Sequence, residues 1–246
     1  MSLLTIKGLN KDFGALRVLC DVNFEVKKGS LHSVVGPNGA GKTTLFNTIS
    51  GFLRPTSGSI IFNGINITNK QPYQIAHLGI RRSFQVLTLF PGLTVLENVR
   101  LAIQAINKGN FAFYRKASDM QNIIEQSIKV LGQIGLLNKK DSKAGELSHG
   151  EQRLLDIGVA MAGEGILLLL DEPTSGLVYN EIYMMGNLIK SLTPRHTVIL
   201  IEHRIDMVLS ISDIITVLDS GNVIAQGPPI VIQNNEEVSK AYLGLR

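Results

Sequence analysis

Gly36 to Thr44 reads GPNGAGKTT, between the strand-like LHSVV at residues 31–35 and LFNTIS at residues 45–50. Residues 36–43 fit G-x-x-x-x-G-K-T, the spacing at which a glycine-rich turn points successive backbone N–H groups at a phosphate, with the positive end of a helix behind it. In that pattern the backbone around Gly39, Ala40, Gly41 and Lys42 surrounds a β-phosphate, and Gly36, Pro37, Asn38 and Thr44 complete the loop. The Lys42 ammonium reaches the β and γ oxygens, and Thr43 offers a hydroxyl to Mg²⁺. A strand that feeds a helix through such a loop belongs to a parallel sheet, so the central fold is expected to be α/β.

Outward from the loop the pattern changes twice. LTIK from Leu4, VNFEV with Val22, Phe24 and Val26 on one face, and SIIFNGINI from Ser59 alternate as half-buried antiparallel strands, with Asn63-Gly64 as a hairpin turn. From Pro91 the pattern is helical: Thr94 and Glu97 form a capping box, and Ile124, Ile128, Leu131 and Ile134 mark a second long helix. Helices from Glu151, Asn180 and Arg204 then alternate with strands Ile166–Leu170, Thr197–Ile201 and Ile214–Leu218. The expected division is an α/β core with an antiparallel β subdomain at residues 1–91 and 151–226, a helical subdomain at 92–150 and a helical appendage at 227–246.

With 246 residues, 44% of them apolar, the chain is long enough for one sizeable core plus an inserted subdomain. A net charge of +4 without a long basic run suits anionic ligands or a membrane face and does not call for nucleic acid. A single cysteine, Cys20, cannot form an internal disulfide, which suits a reducing compartment. No signal peptide is apparent at the N-terminus, and the longest apolar runs fall short of the ~20 residues that span a bilayer, so a membrane role would come through a partner.

ILLLLDEP places Asp171 at the end of a strand buried on both faces, where open α/β sheets bind ligands, and so near a metal. Glu172 follows as a candidate base for orienting water. Gln85 ends the strand-like IRRSFQ and could hold the metal or the lytic water, while His203 follows TVILIE and could donate to a γ-phosphate. His32, His77, His149 and His196 have no such placement and read as structural or exposed. In LSHGEQRLLDIG, Ser148 and Glu151 form a capping box before an amphipathic helix, and Ser148 with Gly150 also makes an anion cradle far from the P-loop in the chain.

Taken in order over nearly the whole chain, GPNGAGKTT, Gln85, LSHGEQ, LLLLDEP and His203 resemble the ATP-binding subunit of an ABC transporter. The resemblance implies a P-loop NTPase (RecA-like) core with an antiparallel β subdomain and an inserted α-helical subdomain, with ATP and Mg²⁺ as ligands. It also implies head-to-tail pairing of two cassettes, in which Ser148 and Gly150 of one chain complete the ATP site of the other. In this pattern Phe13 stacks on adenine, and Thr43, Gln85 and Asp171 hold the metal. The implied partners are integral membrane permease subunits docking near Phe90, Pro91 and the helical insert, a second ATPase that is identical or a sister, and indirectly a substrate-binding protein. The implied location is the cytoplasmic face of the cell membrane.

GIRRSFQVLTLFPGLTVLENV, GNFAFYRKASDM, LIEHRIDMVLSISD and the tail further resemble importer ATPases for branched-chain and other hydrophobic amino acids and urea-like substrates. The terminal YLG is shared with lipopolysaccharide-extracting relatives, and a soluble ABC-type ATPase is the rival from another class. Three positions depart from the common pattern: His149 stands for a glycine, Glu151 for a glutamine, and Val178 for the aspartate that connects two ATP sites.

Overall fold

The computed structural model describes residues 2–83, 87–106, 117–163 and 165–243. The N-terminal strands β1 (Ser2–Phe13) and β2 (Leu16–Lys27) form a long antiparallel hairpin, and β1 pairs on its other side with β4 (Ser57–Phe62), which returns as β5 (Ile65–Asn66). Val22, Phe24 and Val26 are buried while Asn23, Glu25 and Lys27 between them are exposed, the alternation of a sheet with one solvated face. Asn63 and Gly64 have φ of 47° and 78°, the consecutive left-handed pair that a two-residue hairpin turn requires.

The second sheet has the order β10-β9-β3-β8-β7-β6. Its strands β3 (Leu31–Val35), β6 (Ile80–Arg82), β7 (Leu167–Asp171), β8 (Thr197–Ile201) and β9 (Ile214–Asp219) run parallel, and β10 (Asn222–Gly227) closes one edge antiparallel. The apolar run in β7 is explained by two cores. Leu168 and Leu170 join the cluster that packs against helices, whereas Leu167 and Leu169 join the cluster under the antiparallel sheet, and all four are fully buried. Val198 and Leu200 against Ile199 and Ile201 repeat the split in β8. The same edge of the sheet gathers the ends of β3, β8 and β7, with Val34 paired to Ile201 and Ile201 to Asp171.

Helices α1 (Lys42–Ile49) and α2 (Pro72–His77) precede the insert, which contains α3 (Val95–Ile106) and α4 (Ala117–Gln133). After it come α5 (His149–Met161), α6 (Tyr179–Leu192), α7 (Ile205–Ile211), α8 (Pro229–Gln233) and α9 (Glu236–Leu243). The insert is closed at its base by backbone bonds from Val95 N–H to the Ser142 carbonyl and from Ala144 N–H to the Leu93 carbonyl, both 2.9 Å. The Thr94–Glu97 capping box is formed, with the Glu97 carboxylate accepting from Thr94 N–H at 2.8 Å and Thr94 Oγ1 accepting from Glu97 N–H at 3.1 Å.

One expectation needs correction. The buried stripe of α4 is Ile123, Ser127, Val130, Leu131 and Ile134, while Ile124 and Ile128 are each 36% exposed. At 100° per residue, positions 124 and 128 lie to the flank of the i, i+4, i+7, i+11 row from Ile123, a distinction that a chain rich in isoleucine blurs. Strand β10 and helix α2 add to the expected elements, because NVIAQG alternates weakly and PYQIAH makes fewer than two turns of helix.

His32 lies in the core, 1% exposed, with Nε2 2.7 Å from Thr216 Oγ1 and its ring 5.3 Å from that of Phe24. Burial pushes its pKa down to about 4. The unfolded chain, with a pKa of ~6.5, therefore takes up the proton first, so this contribution to stability is whole above pH ~6.5 and is lost as pH falls toward 4. Asp156 slopes the other way, since burial raises its carboxyl to about 7 and its contribution declines as pH rises through that value. Comparison with His32→Gln isolates the imidazole. Between pH 6.5 and 5 the protein is expected to lose about 2 kcal/mol relative to this variant in denaturant unfolding, and parallel pH profiles would sink the assignment.

Candidate active site

The loop from Gly36 to Gly41 is shaped by contacts that admit no side chain. A Cβ on Gly36 would stand 2.1 Å from the Leu218 carbonyl oxygen, and one on Gly41, where φ is 100°, 2.8 Å from the Val18 carbonyl oxygen. The loop is thereby seated between the β2 strand and the end of β9, and α1 starts immediately at Lys42. The Lys42 ammonium is buried and donates to the Gly36 carbonyl at 2.8 Å and the Pro37 carbonyl at 2.9 Å. Burial holds its pKa below the ordinary lysine value, partly offset by the charges of Glu172 and Asp171. Thr43 is exposed on the first turn and Thr44 half-buried beside it.

Glu172 and His203 reach the same place from β7 and β8. A cleft of about 460 Å³ is lined by Val18, the 38–44 segment, Glu172 and His203. His203 Nε2 lies 2.5 Å from Glu172 Oε1. Glu172 adopts φ of 50°, a left-handed conformation unusual for a residue other than glycine, and its N–H donates to the Ile201 carbonyl at 2.9 Å.

A residue missed in the sequence holds this arrangement. Glu202 is 2% exposed, and its Oε1 accepts from both Thr174 N–H at 2.9 Å and Thr174 Oγ1 at 2.6 Å, while Oε2 accepts from His203 N–H at 3.1 Å. It locks the turn after β7 to the end of β8. The available signal was a carboxylate placed directly after the apolar run VILI and before His203.

Asp171 is buried at the end of β7. Its Oδ2 accepts from Arg82 Nη2 at 2.9 Å, and its Oδ1 is buried without a hydrogen-bond partner among the described residues. Burial raises its pKa, and the bond to Arg82 pulls it back. Gln85 lies outside the described residues. Phe13 is 46% exposed on the β1–β2 hairpin, with Lys11 Nζ 4.9 Å from its ring centroid.

Ser148 and Gly150 are not brought to the P-loop cleft. They line a separate cavity of about 520 Å³ with Leu154, Leu177, Met184 and Leu188 among its walls. Ser148 caps α5, its Oγ accepting from Glu151 N–H at 3.3 Å, while the Glu151 carboxylate accepts from Ser148 N–H at 3.0 Å and pairs with Lys139 at 2.6 Å. Both Ser148 and His149 face solvent. Val178 is 66% exposed, and Glu181 accepts from its N–H at 3.1 Å. The remaining histidines have structural or peripheral places: His77 Nδ1 sits 2.7 Å from the Tyr73 carbonyl and His196 Nδ1 2.6 Å from that of Gly165.

Comparisons with known proteins identify the family and the fold. Residues 19–175 match the family model described as ABC transporter. The chain is 38% identical to the high-affinity branched-chain amino acid transport ATP-binding protein LivG of Escherichia coli, covering 98% of both chains. It superposes on the ADP conformation of MJ1267, an ATP-binding cassette of an ABC transporter, with a TM-score of 0.87 at 32% identity, covering 99% of each. A dimeric structure of MJ0796, a bacterial ABC transporter cassette, matches with a TM-score of 0.79 at 25% identity over 92% of this chain and 98% of that one.

Proposed function

This chain belongs to the ABC transporter ATP-binding family, and from that premise we propose that it drives the import of branched-chain or related hydrophobic amino acids by hydrolysing Mg-ATP between two cassettes. The observation that carries the reading is a division: one cleft joins the P-loop, Glu172 and His203, while Ser148 and Gly150 open on a different surface. A second cassette, identical or a sister, supplies the missing half.

In this reading Lys42 moves its donation from the Gly36 and Pro37 carbonyls to phosphate oxygens, and Phe13 carries the base. The metal fits the residues present. The buried Asp171 Oδ1, without a partner among the described residues, is an acceptor at the ligand edge of the sheet, and Thr43 adds a hydroxyl from α1. One carboxylate and one hydroxyl suit Mg²⁺, which binds through few protein groups plus substrate phosphates; Gln85 would complete the set. Bound there, Mg²⁺ would neutralise charge on the β and γ oxygens. Glu172 accepts a proton from the attacking water. Since one ring nitrogen of His203 now lies on Glu172, a γ-phosphate that takes its donation releases the carboxylate to that water.

Coupling to permease subunits runs through Phe90 and Pro91. Phe90 is 58% exposed, and the buried Asn98 fixes its backbone, accepting from Phe90 N–H at 2.8 Å and donating to its carbonyl at 3.1 Å. No helix among the described residues is long and apolar enough to cross a membrane, which suits a peripheral place on the cytoplasmic face with a substrate-binding protein acting through the permease.

The test is steady-state ATP hydrolysis against protein concentration. The rate per chain is expected to climb with concentration and to collapse in Ser148→Ala. A substantial rate per chain that is independent of concentration and untouched by Ser148→Ala would overturn the two-chain site, and failure to bind Mg-ATP would overturn the ATPase reading.

A further inference from the structure

Arg82 touches both walls of the metal position. Nη2 donates to Asp171 Oδ2 at 2.9 Å, and Nη1 donates to Asn47 Oδ1 at 2.6 Å and Ser50 Oγ at 3.1 Å. The guanidinium carbon lies 5.8 Å from the centroid of the Phe46 ring and 6.0 Å from that of Phe52. Phe46 and Asn47 lie on α1, and Ser50 caps its end; the same helix opens with Lys42 and Thr43. Asp171 ends β7, and Arg82 itself ends β6, three residues before Gln85. One side chain thus ties together α1, which carries Thr43, β7, which ends in Asp171, and the end of β6.

The pair is buried, with 7% of the Arg82 and 2% of the Asp171 side chain exposed. A buried ion pair contributes little net stability compared with apolar packing, so its consequence is sought in geometry. A planar fork with donors on two sides spans two walls at fixed distance, which a lysine ammonium does not do. The bond to Oδ2 restrains rotation of the Asp171 carboxylate and so favours one direction for Oδ1.

We propose that Arg82 is a positioning residue for the metal: a strut that fixes α1 against the end of β7 and aims Asp171 Oδ1. This rests on Thr43 and Asp171 being Mg²⁺ ligands, as proposed above. The deciding variant is Asn47→Ala/Ser50→Ala, which cuts the α1 end of the strut and leaves the Arg82–Asp171 ion pair; Arg82→Lys, which keeps the charge and loses the fork, accompanies it. The readout is Mn²⁺ affinity of the full chain loaded with ATP, followed by electron paramagnetic resonance, beside ATP affinity in excess chelator. Both variants are expected to weaken Mn²⁺ binding by about 10- to 100-fold, with metal-free ATP affinity changed by less than about twofold. Undiminished Mn²⁺ affinity in a folded Asn47→Ala/Ser50→Ala protein would overturn the strut, as would an equal loss of metal-free ATP affinity. Asp171→Asn separates the two claims: if it alone loses Mn²⁺, only the strut fails, and if it retains Mn²⁺, the ligand assignment fails.

Discussion

Glu172→Gln is expected to lower ATP turnover by about 10²- to 10⁴-fold, equivalent to ~3 to 5 kcal/mol in the barrier, while ATP still binds. The substitution changes the chemistry and little else. Glutamine keeps the shape of the side chain, and the backbone of residue 172 is held independently, by the bond from its N–H to Ile201 and by Glu202 gripping Thr174. What is lost is the acceptor for the proton of the attacking water. Lys42, which holds phosphate in the proposed reading, is untouched, so the variant should accumulate as an ATP-bound pair. Size-exclusion chromatography with Mg-ATP is expected to show a shift from monomer to dimer that the unaltered protein shows only transiently. A variant that binds ATP, elutes as a monomer and hydrolyses within tenfold of the parent would remove Glu172 from the role of base.

Mixing two dead proteins should restore activity. Lys42→Ala breaks the P-loop half of a site, and Ser148→Arg breaks the opposing half by placing a large side chain on the exposed cap of α5. In a mixed pair one site carries both lesions, and the other joins the intact P-loop of the Ser148→Arg chain to the intact Ser148 of the Lys42→Ala chain. Each protein alone is expected to lose at least ~100-fold in turnover, whereas an equimolar mixture should recover a substantial fraction, up to about a quarter if chains pair at random and each intact site works alone. A mixture no more active than its components, under conditions where the parent protein hydrolyses ATP in pairs, would mean that the sites do not act singly or are not shared. The exposed Val178 sits at the N-terminus of α6, where the family resemblance implies an aspartate that connects the two sites, so their independence is a direct object of this experiment.

Much of the site could be read before the fold was known. The P-loop was legible because its G-x-x-x-x-G-K-T spacing is contained in eight consecutive residues; the structure adds why residues 36 and 41 are glycine, since carbonyl oxygens of Leu218 and Val18 occupy the space that a side chain would need. Asp171 was legible because a strand buried on both faces must be apolar until it reaches the ligand edge. Arg82 and Glu202 were not. Both are buried charges whose partners, Asn47, Ser50 and Asp171 for one and Thr174 for the other, are separated from them by 28 to 89 residues. No local pattern signals such a partner.

The sequence by itself determined the order of the elements other than α2 and β10, the phosphate loop and the capping boxes at Thr94 and Ser148, since these depend on a few neighbouring residues and on backbone groups that must be satisfied locally. Only the tertiary structure decided which face of α4 is buried, that His203 lies on Glu172, and that Ser148 and Gly150 open away from their own P-loop. The physical reason is range. A cap or a turn is settled within four residues, whereas the meeting of β3, β7 and β8 at one edge is settled by burying two apolar clusters on opposite faces of a single sheet.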